Sequence, residues 1–254
     1  MPKPNVLLFV DNSNIFISAK SVAQTKEGRH AKDNIRISFE NLLKLALAGR
    51  TLKKAYVIGS IPPEQKAVWE RLEEATGVKP ELYERGASTG GEQGLDQCLQ
   101  VHMLRSISDN PEPQVAVVMT GDGAGYDDGV GFHADMARMY ESGWGVEVIS
   151  WEASCRGTLK NWARSNGVFI PLESHYDSIT FIEGGRHALN SDFSTRPTST
   201  PRLSPTQRAE QDAKQKMQVE LDQLRAENEA LKRKTTKQSK GKTKYEKRFN
   251  NQKR

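Results

Sequence analysis

The strongest constraint on the fold of this 254-residue chain is a pair of short, almost entirely apolar segments at residues 5–10 and 115–119. A strand with one solvated face alternates apolar and polar residues, whereas a strand covered on both faces is a continuous apolar run. Strand-like and helix-like patterns alternate along the chain. We therefore expect an α/β fold, a three-layer sandwich with a mainly parallel central sheet.

Four further strands are predicted around these two runs. Short apolar segments between turn signals mark them at residues 55–58, 81–84, 146–150 and 167–171. Helical spacing of apolar residues predicts helices between most of the strands. The order of the strands in the sheet does not follow from these patterns, although right-handed crossover connections restrict it.

The composition changes sharply near residue 190. Eleven of the sixteen residues from 191 to 206 are Ser, Thr or Pro. Such a composition buries too little apolar surface to offset the entropy cost of ordering the chain. The sequence therefore predicts a folded domain, a disordered Ser/Thr/Pro-rich linker, a coiled-coil helix and a basic disordered tail, at residues 1–187, 188–207, 208–234 and 235–254.

A heptad pattern follows the predicted linker. Its members fit the core positions of a coiled coil, with Met217, Leu224 and Leu231 at d and with Leu221 and Asn228 at a. A lone Asn at an a position favours a parallel dimer in register. We expect a homodimer through residues 210–234. Because the repeat is short, a single amphipathic helix is the alternative.

The basic residues are concentrated toward the carboxyl terminus. Residues 1–190 hold 20 Lys and Arg against 24 Asp and Glu, a net charge of −4, whereas residues 191–254 carry +9. Residues 232–254 hold 11 basic side chains and one acid. Such an arm attracts polyanions and releases condensed counterions when it binds them. We expect nucleic acid as the partner; a solubilising terminus is the alternative.

Two groups of basic residues are candidate nucleic-acid contacts. In the tail they are Lys232, Arg233, Lys234, Lys237, Lys240, Lys242, Lys244, Lys247 and Arg248. In the folded domain they are Lys53, Lys54 and Arg85, each of which also fits a solvated surface.

The sequence predicts a cytoplasmic protein with no membrane partner. It has no apolar stretch of about 18 residues, and its first residues do not resemble a signal peptide. Cys98 and Cys155 are too few for a disulfide scaffold and form no Cys-x-x-Cys motif. We expect both to be reduced, buried thiols.

Acidic residues follow the apolar strands. Asp11 comes directly after the first run, Asp122 follows the run that ends at Met119, and Asp96 lies near the start of a predicted helix. Ligands of open α/β sheets bind beyond the carboxyl ends of the strands. Carboxylates gathered there repel one another, and a hard divalent cation relieves that repulsion. Taken singly, each acid also fits a helix cap or a turn.

Three segments together resemble the NYN domains of the PIN-like nuclease superfamily, over roughly residues 4–172. The chain from Val6 through Asp11 to Asn14 is similar to the family's opening strand with its Asp and Asn. Gly94-Leu-Asp96 is similar to its central Gly-x-Asp, and Thr-Gly-Asp122 to its Ser-Gly-Asp strand end. The resemblance implies metal-dependent RNA cleavage by three or four acidic residues. It assigns Asp11, Asp96 and Asp122 as catalytic ligands of Mg²⁺ or Mn²⁺, and Asn14 as a polar support or substrate contact.

Two positions depart from the family pattern. Many relatives have a second acid further along the central helix, where this chain has His102. Residues 124–130 form an insertion after Asp122, where relatives continue with Asp-Phe. We expect either Asp127 or Asp128 to supply the displaced carboxylate; if neither does, the site is weakened.

Three functions are compatible with these features. The one we favour is a metal-dependent ribonuclease whose basic tail concentrates RNA, single-stranded rather than double-stranded. The second is a catalytically weak or inactive RNA-binding or regulatory protein of the same fold, which the departures at His102 and Gly131 support. The third is a hydrolase of small phosphoesters, which would not need a basic tail.

Overall fold

A computed structural model describes residues 3–61, 66–84 and 92–251. The chain forms two units, of which the first ends at Ser204 and the second begins at Pro205. In chain order the first unit contains β1 (Val6–Asp11), α1 (Asn12–Glu27), α2 (Arg29–Asn34), β2 (Ile35–Ile37), α3 (Phe39–Leu47), β3 (Leu52–Ile61), α4 (Lys66–Thr76), β4 (Glu81–Glu84), α5 (Glu92–Asp109), β5 (Val115–Met119), α6 (Gly131–Glu141), β6 (Gly145–Ser150), α7 (Gly157–Asn166), β7 (Val168–Pro171), a 3-10 turn (Leu172–His175), α8 (Tyr176–Ile179) and β8 (Thr180–Ile182).

In the described part of the chain, the central sheet has six strands in the order β4-β3-β1-β5-β6-β7. Every neighbouring pair in it is parallel. Each of the six overlaps one of the predicted strands. The two continuously apolar strands, β1 and β5, are neighbours at the centre of the sheet, where both faces are covered.

Successive residues of β1 point to opposite faces of the sheet. Val6, Leu8 and Val10 lie in one apolar cluster with α1, α3 and α4. Leu7 and Phe9 lie in a second cluster with α5, α6 and α7. All five side chains are buried. The expected three-layer sandwich is confirmed.

A small second sheet was not predicted. In it, β2 pairs antiparallel with β8, and Ile35 lies opposite Ile182. Each strand has three residues. Three residues are too few for an alternating pattern to be recognised in the sequence.

The segment 188–204 differs from the disordered linker predicted at 188–207. It contains no helix or strand, yet it belongs to the first unit. Phe193 is buried in the cluster that contains α1, and the backbone N–H of Arg202 donates to the carbonyl of Gly143 at 2.7 Å. A few individual residues therefore hold this segment against the domain. The Ser, Thr and Pro residues around them give the segment the composition of a disordered linker.

A buried ion network supplies a further anchor for this segment. Arg50 Nη1 lies 2.6 Å from Glu147 Oε1, and Arg196 Nη2 lies 2.8 Å from Glu147 Oε2. All three side chains are buried. The Ser199 N–H donates to Glu147 Oε1 at 2.8 Å, and Arg196 also donates to backbone carbonyls of α3. The segment 188–204 thus provides one of the two cations that neutralise a buried carboxylate on β6.

The second unit contains one long helix, α9 (Pro205–Asn251). It extends beyond the predicted end at residue 234, through most of the segment 235–254 that we expected to be disordered. Lys, Arg, Gln and Glu dominate this part of the chain, and all four have high helix propensity. None of the helices in the described part of the chain combines the length and hydropathy that a membrane crossing needs.

Candidate active site

The strand order creates a crevice between β1 and β5. On one side of this pair the sheet continues through β3 and β4, and on the other through β6 and β7. The order of connections therefore reverses between β1 and β5, and open α/β sheets bind ligands at such a switch point. Asp11 ends β1 at this position, and Thr120, Gly121 and Asp122 follow β5.

Hydrogen bonds tie these two strand ends together. Asp11 caps α1, since its Oδ1 accepts from the Asn14 backbone N–H at 3.1 Å. Its Oδ2 accepts from the Thr120 hydroxyl at 3.0 Å, and Thr120 Oγ1 in turn accepts from the Asp122 N–H at 3.2 Å. The side-chain oxygen of Asn14 accepts from the Gly121 N–H at 2.8 Å. Asn14, in the first turn of α1, therefore joins Asp11 at the end of β1 to Gly121 after β5.

Gly121 allows this close approach. A Cβ at this position would lie 3.0 Å from both Asn14 Oδ1 and Ser150 Oγ, and 3.3 Å from the Cα of Cys155. Glycine is thus the residue that fits between α1, β6 and the segment leading to α7.

The three carboxylates predicted as metal ligands line one cavity. Asp11, Asp96 and Asp122 come from the end of β1, from α5 and from the loop after β5, and all contribute to the wall of a cavity of about 550 Å³. The remaining lining residues are Ser13, Asn14, Ile17, Ile58, Leu95, Leu99, Gly121, Ser154 and Arg156. Three separate parts of the sequence therefore converge at the switch point.

The carboxylates destabilise one another's charged forms. Burial, together with the neighbouring charges of Asp11 and Asp122, raises the pKa of Asp96 to about 7. Burial likewise raises the pKa of Asp11, and Asp122 adds to the increase, while hydrogen bonds from Asn14 and Thr120 oppose it. The cavity therefore holds an excess of negative charge that a cation would relieve.

Burial of Asp96, together with this repulsion, makes the stability of the metal-free protein depend on pH. Asp96 ionises at about pH 7 when folded but near its ordinary value of about 3.9 when unfolded. The protonated carboxyl therefore favours the folded state below about pH 4, and this contribution is lost as the pH rises through 7.

We expect Asp96→Asn to raise the free energy of unfolding at pH 8 by about 1–2 kcal/mol, a value reduced by partial solvent exposure, and to change it little at pH 4. Urea unfolding in the presence of a chelator measures both values. An equal or lower stability of Asp96→Asn at pH 8 would show that Asp96 carries no such penalty.

Two residues of this site were not among the predicted site residues. Thr120 connects Asp11 to the Asp122 backbone through its hydroxyl group. Arg156 is the one cationic side chain among the described residues that line the cavity. It precedes α7, and its backbone N–H donates to the Gly121 carbonyl at 3.0 Å. No apolar segment ends directly before Arg156, so the sequence pattern did not mark it as a site residue.

Asp127 and Asp128 are not brought to the cavity. Both lie exposed in the turn region between Asp122 and α6, and neither belongs to the described lining residues. The inserted loop is closed on itself by bonds from the N–H groups of Asp128 and Val130 to the Gly125 carbonyl. Among the described residues, this loop therefore adds no fourth carboxylate to the cavity.

His102 also lies away from the acidic cavity. Its Nε2 lies 3.1 Å from the carboxylate of Glu81 on β4, and its ring stacks on Tyr56 with centroids 4.2 Å apart. His102 therefore does not take the place of a further acidic side chain in the wall of this cavity.

The candidate nucleic-acid contacts are placed only in part. Lys53 and Lys54 lie exposed on β3, and Lys54 Nζ is 4.7 Å from the centroid of the Tyr56 ring. Arg85 lies outside the described residues. The tail positions 232–248 belong to α9, but their side chains are likewise outside the described part of the structure.

A match to a family model supports the resemblance to the NYN domains. No curated protein matches the chain. Among solved structures, a protein of unknown function from Vibrio parahaemolyticus is similar, with 16% identity and a TM-score of 0.47, over 67% of this chain and 93% of that one. The model of the NYN domain matches residues 5–173, which include Asp11, Asp96 and Asp122. The chain belongs to the NYN domain family.

Proposed function

We propose that this protein is a metal-dependent ribonuclease that hydrolyses RNA phosphodiesters, with Asp11, Asp96 and Asp122 as ligands of one Mg²⁺ or Mn²⁺ ion. The NYN domain family is nuclease-like. The observation that carries the proposal is the convergence of three carboxylates from separate segments on one cavity at the sheet's switch point.

The donor set suits a hard divalent cation. It consists of carboxylate oxygens, which Mg²⁺ and Mn²⁺ prefer. Asp11 accepts one hydrogen bond on each oxygen and so retains lone pairs directed elsewhere. Burial and the neighbouring carboxylates raise the pKa values of Asp11 and Asp96, and a bound cation would favour their ionised forms. When bound, such an ion lowers the pKa of a water ligand and stabilises charge on the phosphoryl group.

The chain's own residues position the reacting groups. Thr120 and Asn14 hold Asp11 in one orientation and keep the end of β5 against it. Arg156 supplies a positive charge at the cavity wall that attracts a phosphodiester. Ser13 lies in the first turn of α1, whose N-terminal end favours anions. No nucleophilic side chain is required, since water is the attacking group.

The direct test is a cleavage assay with three substrates. Purified protein is incubated with single-stranded RNA, single-stranded DNA or a chromogenic phosphoester, each with Mn²⁺, Mg²⁺ or a chelator. We expect cleavage of RNA that requires the ion. Preferential hydrolysis of the chromogenic substrate would indicate a small-phosphoester hydrolase, and RNA binding without cleavage would indicate a catalytically inactive protein.

We further propose that the basic end of α9 concentrates RNA near the domain. Replacing the nine basic residues between Lys232 and Arg248 by Gln in the full chain removes that attraction. The slope of log affinity against log salt then becomes shallower by about 0.7 for each lost phosphate contact. Cleavage at saturating RNA changes little. Fluorescence anisotropy at several salt concentrations measures the slope, with Lys53→Gln/Lys54→Gln as the comparison variant. An unchanged slope in the tail variant would show that the tail does not contribute to RNA binding.

A homodimer through residues 210–234 is the second proposal about α9. Met217, Leu221 and Leu224 are 42–68% exposed along the helix, which leaves the heptad seam free to pair. We expect the full chain to sediment as a dimer and the chain ending at Ser204 to sediment as a monomer. Met217→Glu/Leu224→Glu should convert the full chain to monomers. A full chain that is monomeric at micromolar concentration would eliminate the coiled coil.

A further inference from the structure

We propose a second metal site, separate from the acidic cavity, in which Glu81, Cys98 and His102 bind Zn²⁺. The three side chains offer a carboxylate oxygen, a thiol sulfur and an imidazole nitrogen, and these atoms all lie within 4.8 Å of one another. Oxygen, sulfur and nitrogen are the three donor types by which proteins hold Zn²⁺. This inference does not depend on the ribonuclease activity proposed above.

The spacing of the donors matches a tetrahedral ion. Zinc bonds of about 2.0–2.3 Å place neighbouring ligand atoms roughly 3.3–3.8 Å apart at the corners of a tetrahedron. His102 Nε2 lies 3.1 Å from the Glu81 carboxylate, and Cys98 Sγ lies 3.8 Å from Glu81 Oε2. Small side-chain shifts are therefore enough to place an ion among the three atoms.

Secondary structure preorganises the site. Cys98 and His102 are four residues apart on α5 and so share one face of the helix. Glu81 lies on β4, the edge strand of the sheet. The His102 ring is held by stacking on the buried Tyr56. The ligands thus come from two rigid elements, and the orientation of the imidazole is restricted before an ion binds.

The site has room for a fourth ligand. The Glu81 side chain is 42% exposed and that of His102 is 20% exposed, so water reaches the cluster from solvent. The Tyr83 hydroxyl lies 3.0 Å from Cys98 Sγ and adjoins the same position. Three protein ligands with water as the fourth is a common arrangement for zinc. As the ion binds, the Cys98 thiol releases its proton to solvent and coordinates as thiolate.

An ion here would link β4 to α5, the helix that carries Asp96. Leu95 and Leu99, on either side of Asp96 and Cys98, line the acidic cavity. Binding of zinc would therefore restrain the same helical turn that presents Asp96. The expected consequence is a more stable domain, because a ligand that binds only the folded state shifts unfolding to higher temperature.

The test uses Co²⁺ as a spectroscopic substitute for Zn²⁺ in the full chain, after treatment with chelator and reductant and their removal. A thiolate ligand gives a sulfur-to-cobalt charge-transfer band in the near ultraviolet, which carboxylates alone do not give. We expect one equivalent of Co²⁺ to produce this band and Zn²⁺ to displace it. Cys98→Ala should abolish the band, and His102→Ala should weaken Co²⁺ binding by at least about tenfold.

Two control variants separate this site from the rest of the chain. Cys155→Ala removes the other thiol and should retain the band, as should Asp11→Asn/Asp122→Asn, which alters the acidic cavity. Circular dichroism in chelator checks that each variant folds. Glu81→Gln changes a partly exposed carboxylate, so it tests the site even if a helix variant is unstable, and it should also weaken binding. A wild-type chain without the band, or a band lost in Cys155→Ala but kept in Cys98→Ala, would overturn the proposal.

Discussion

Asp11→Asn and Asp122→Asn should each reduce ion-dependent RNA cleavage by at least about 100-fold. Each substitution removes one negative ligand from the cavity while leaving a side chain of nearly the same shape. The fold should persist, because removing charge from a crowded set of carboxylates relieves repulsion. Single-turnover cleavage of labelled RNA in Mn²⁺ measures the effect, with urea unfolding to verify stability.

Asp128→Asn is the matched control for these two variants. It makes the same chemical change at an exposed carboxylate of the loop, outside the described cavity lining. Its rate should be nearly that of the wild type. Full activity in both Asp11→Asn and Asp122→Asn would refute the assignment. Loss of activity in Asp128→Asn would instead show that the inserted loop supplies a carboxylate during the reaction.

Glu147→Gln should lower the free energy of unfolding by about 3–5 kcal/mol. Burial raises the pKa of Glu147, but hydrogen bonds and charge interactions with Arg50 and Arg196 outweigh it and hold that pKa below its usual range. The carboxylate is thus ionised at neutral pH. Its replacement by a neutral amide leaves two buried guanidinium groups without a counter-charge.

Urea unfolding at neutral pH measures this loss, with Glu183→Gln as the control. Glu183 pairs with Arg36 at 2.6 Å, but their side chains are 52% and 34% exposed, so breaking this pair should cost less than about 1 kcal/mol. Glu147→Gln should also speed proteolysis within residues 188–204, since Arg196 loses its partner. Similar stability losses in both variants would mean that the network contributes no more than a surface pair.

The sequence predicts the strands of the central sheet well, because each strand is recognised from the apolar pattern of its own few residues. The continuous apolar runs of β1 and β5 indicate two covered faces, and the acids directly after them can be read from the chain. Local patterns do not predict that β1 and β5 are neighbours, because this depends on the order of all six strands. Thr120 and Arg156 join the candidate site only through that adjacency, so pattern analysis did not assign them these positions.

The segment 188–204 shows where composition misleads. Its Ser, Thr and Pro content is typical of a disordered linker, yet the side chains of Phe193 and Arg196 are buried in the domain. The partner of Arg196 is Glu147, 49 residues earlier in the chain. A charge on an otherwise apolar strand is a sign that a buried counter-charge is needed, but the sequence does not say which residue supplies it.

The Glu81, Cys98 and His102 cluster was missed for a related reason. Cysteine motifs for zinc are usually sought as two cysteines in a short loop, and this chain has none. A helical spacing of four residues does relate Cys98 to His102, but Glu81 joins them only because β4 packs beside α5. The structure also corrects the expectation that both thiols are buried, since Cys98 is partly exposed.

Anomalous diffraction from crystals of the full chain soaked in Mn²⁺ tests the central claim most directly. We expect a peak within coordination distance of the carboxylates of Asp11, Asp96 and Asp122, and its loss in crystals of Asp122→Asn. If the soaked protein cleaves RNA but shows no Mn²⁺ at these three carboxylates, they do not form the metal centre, and the proposed ribonuclease mechanism is contradicted.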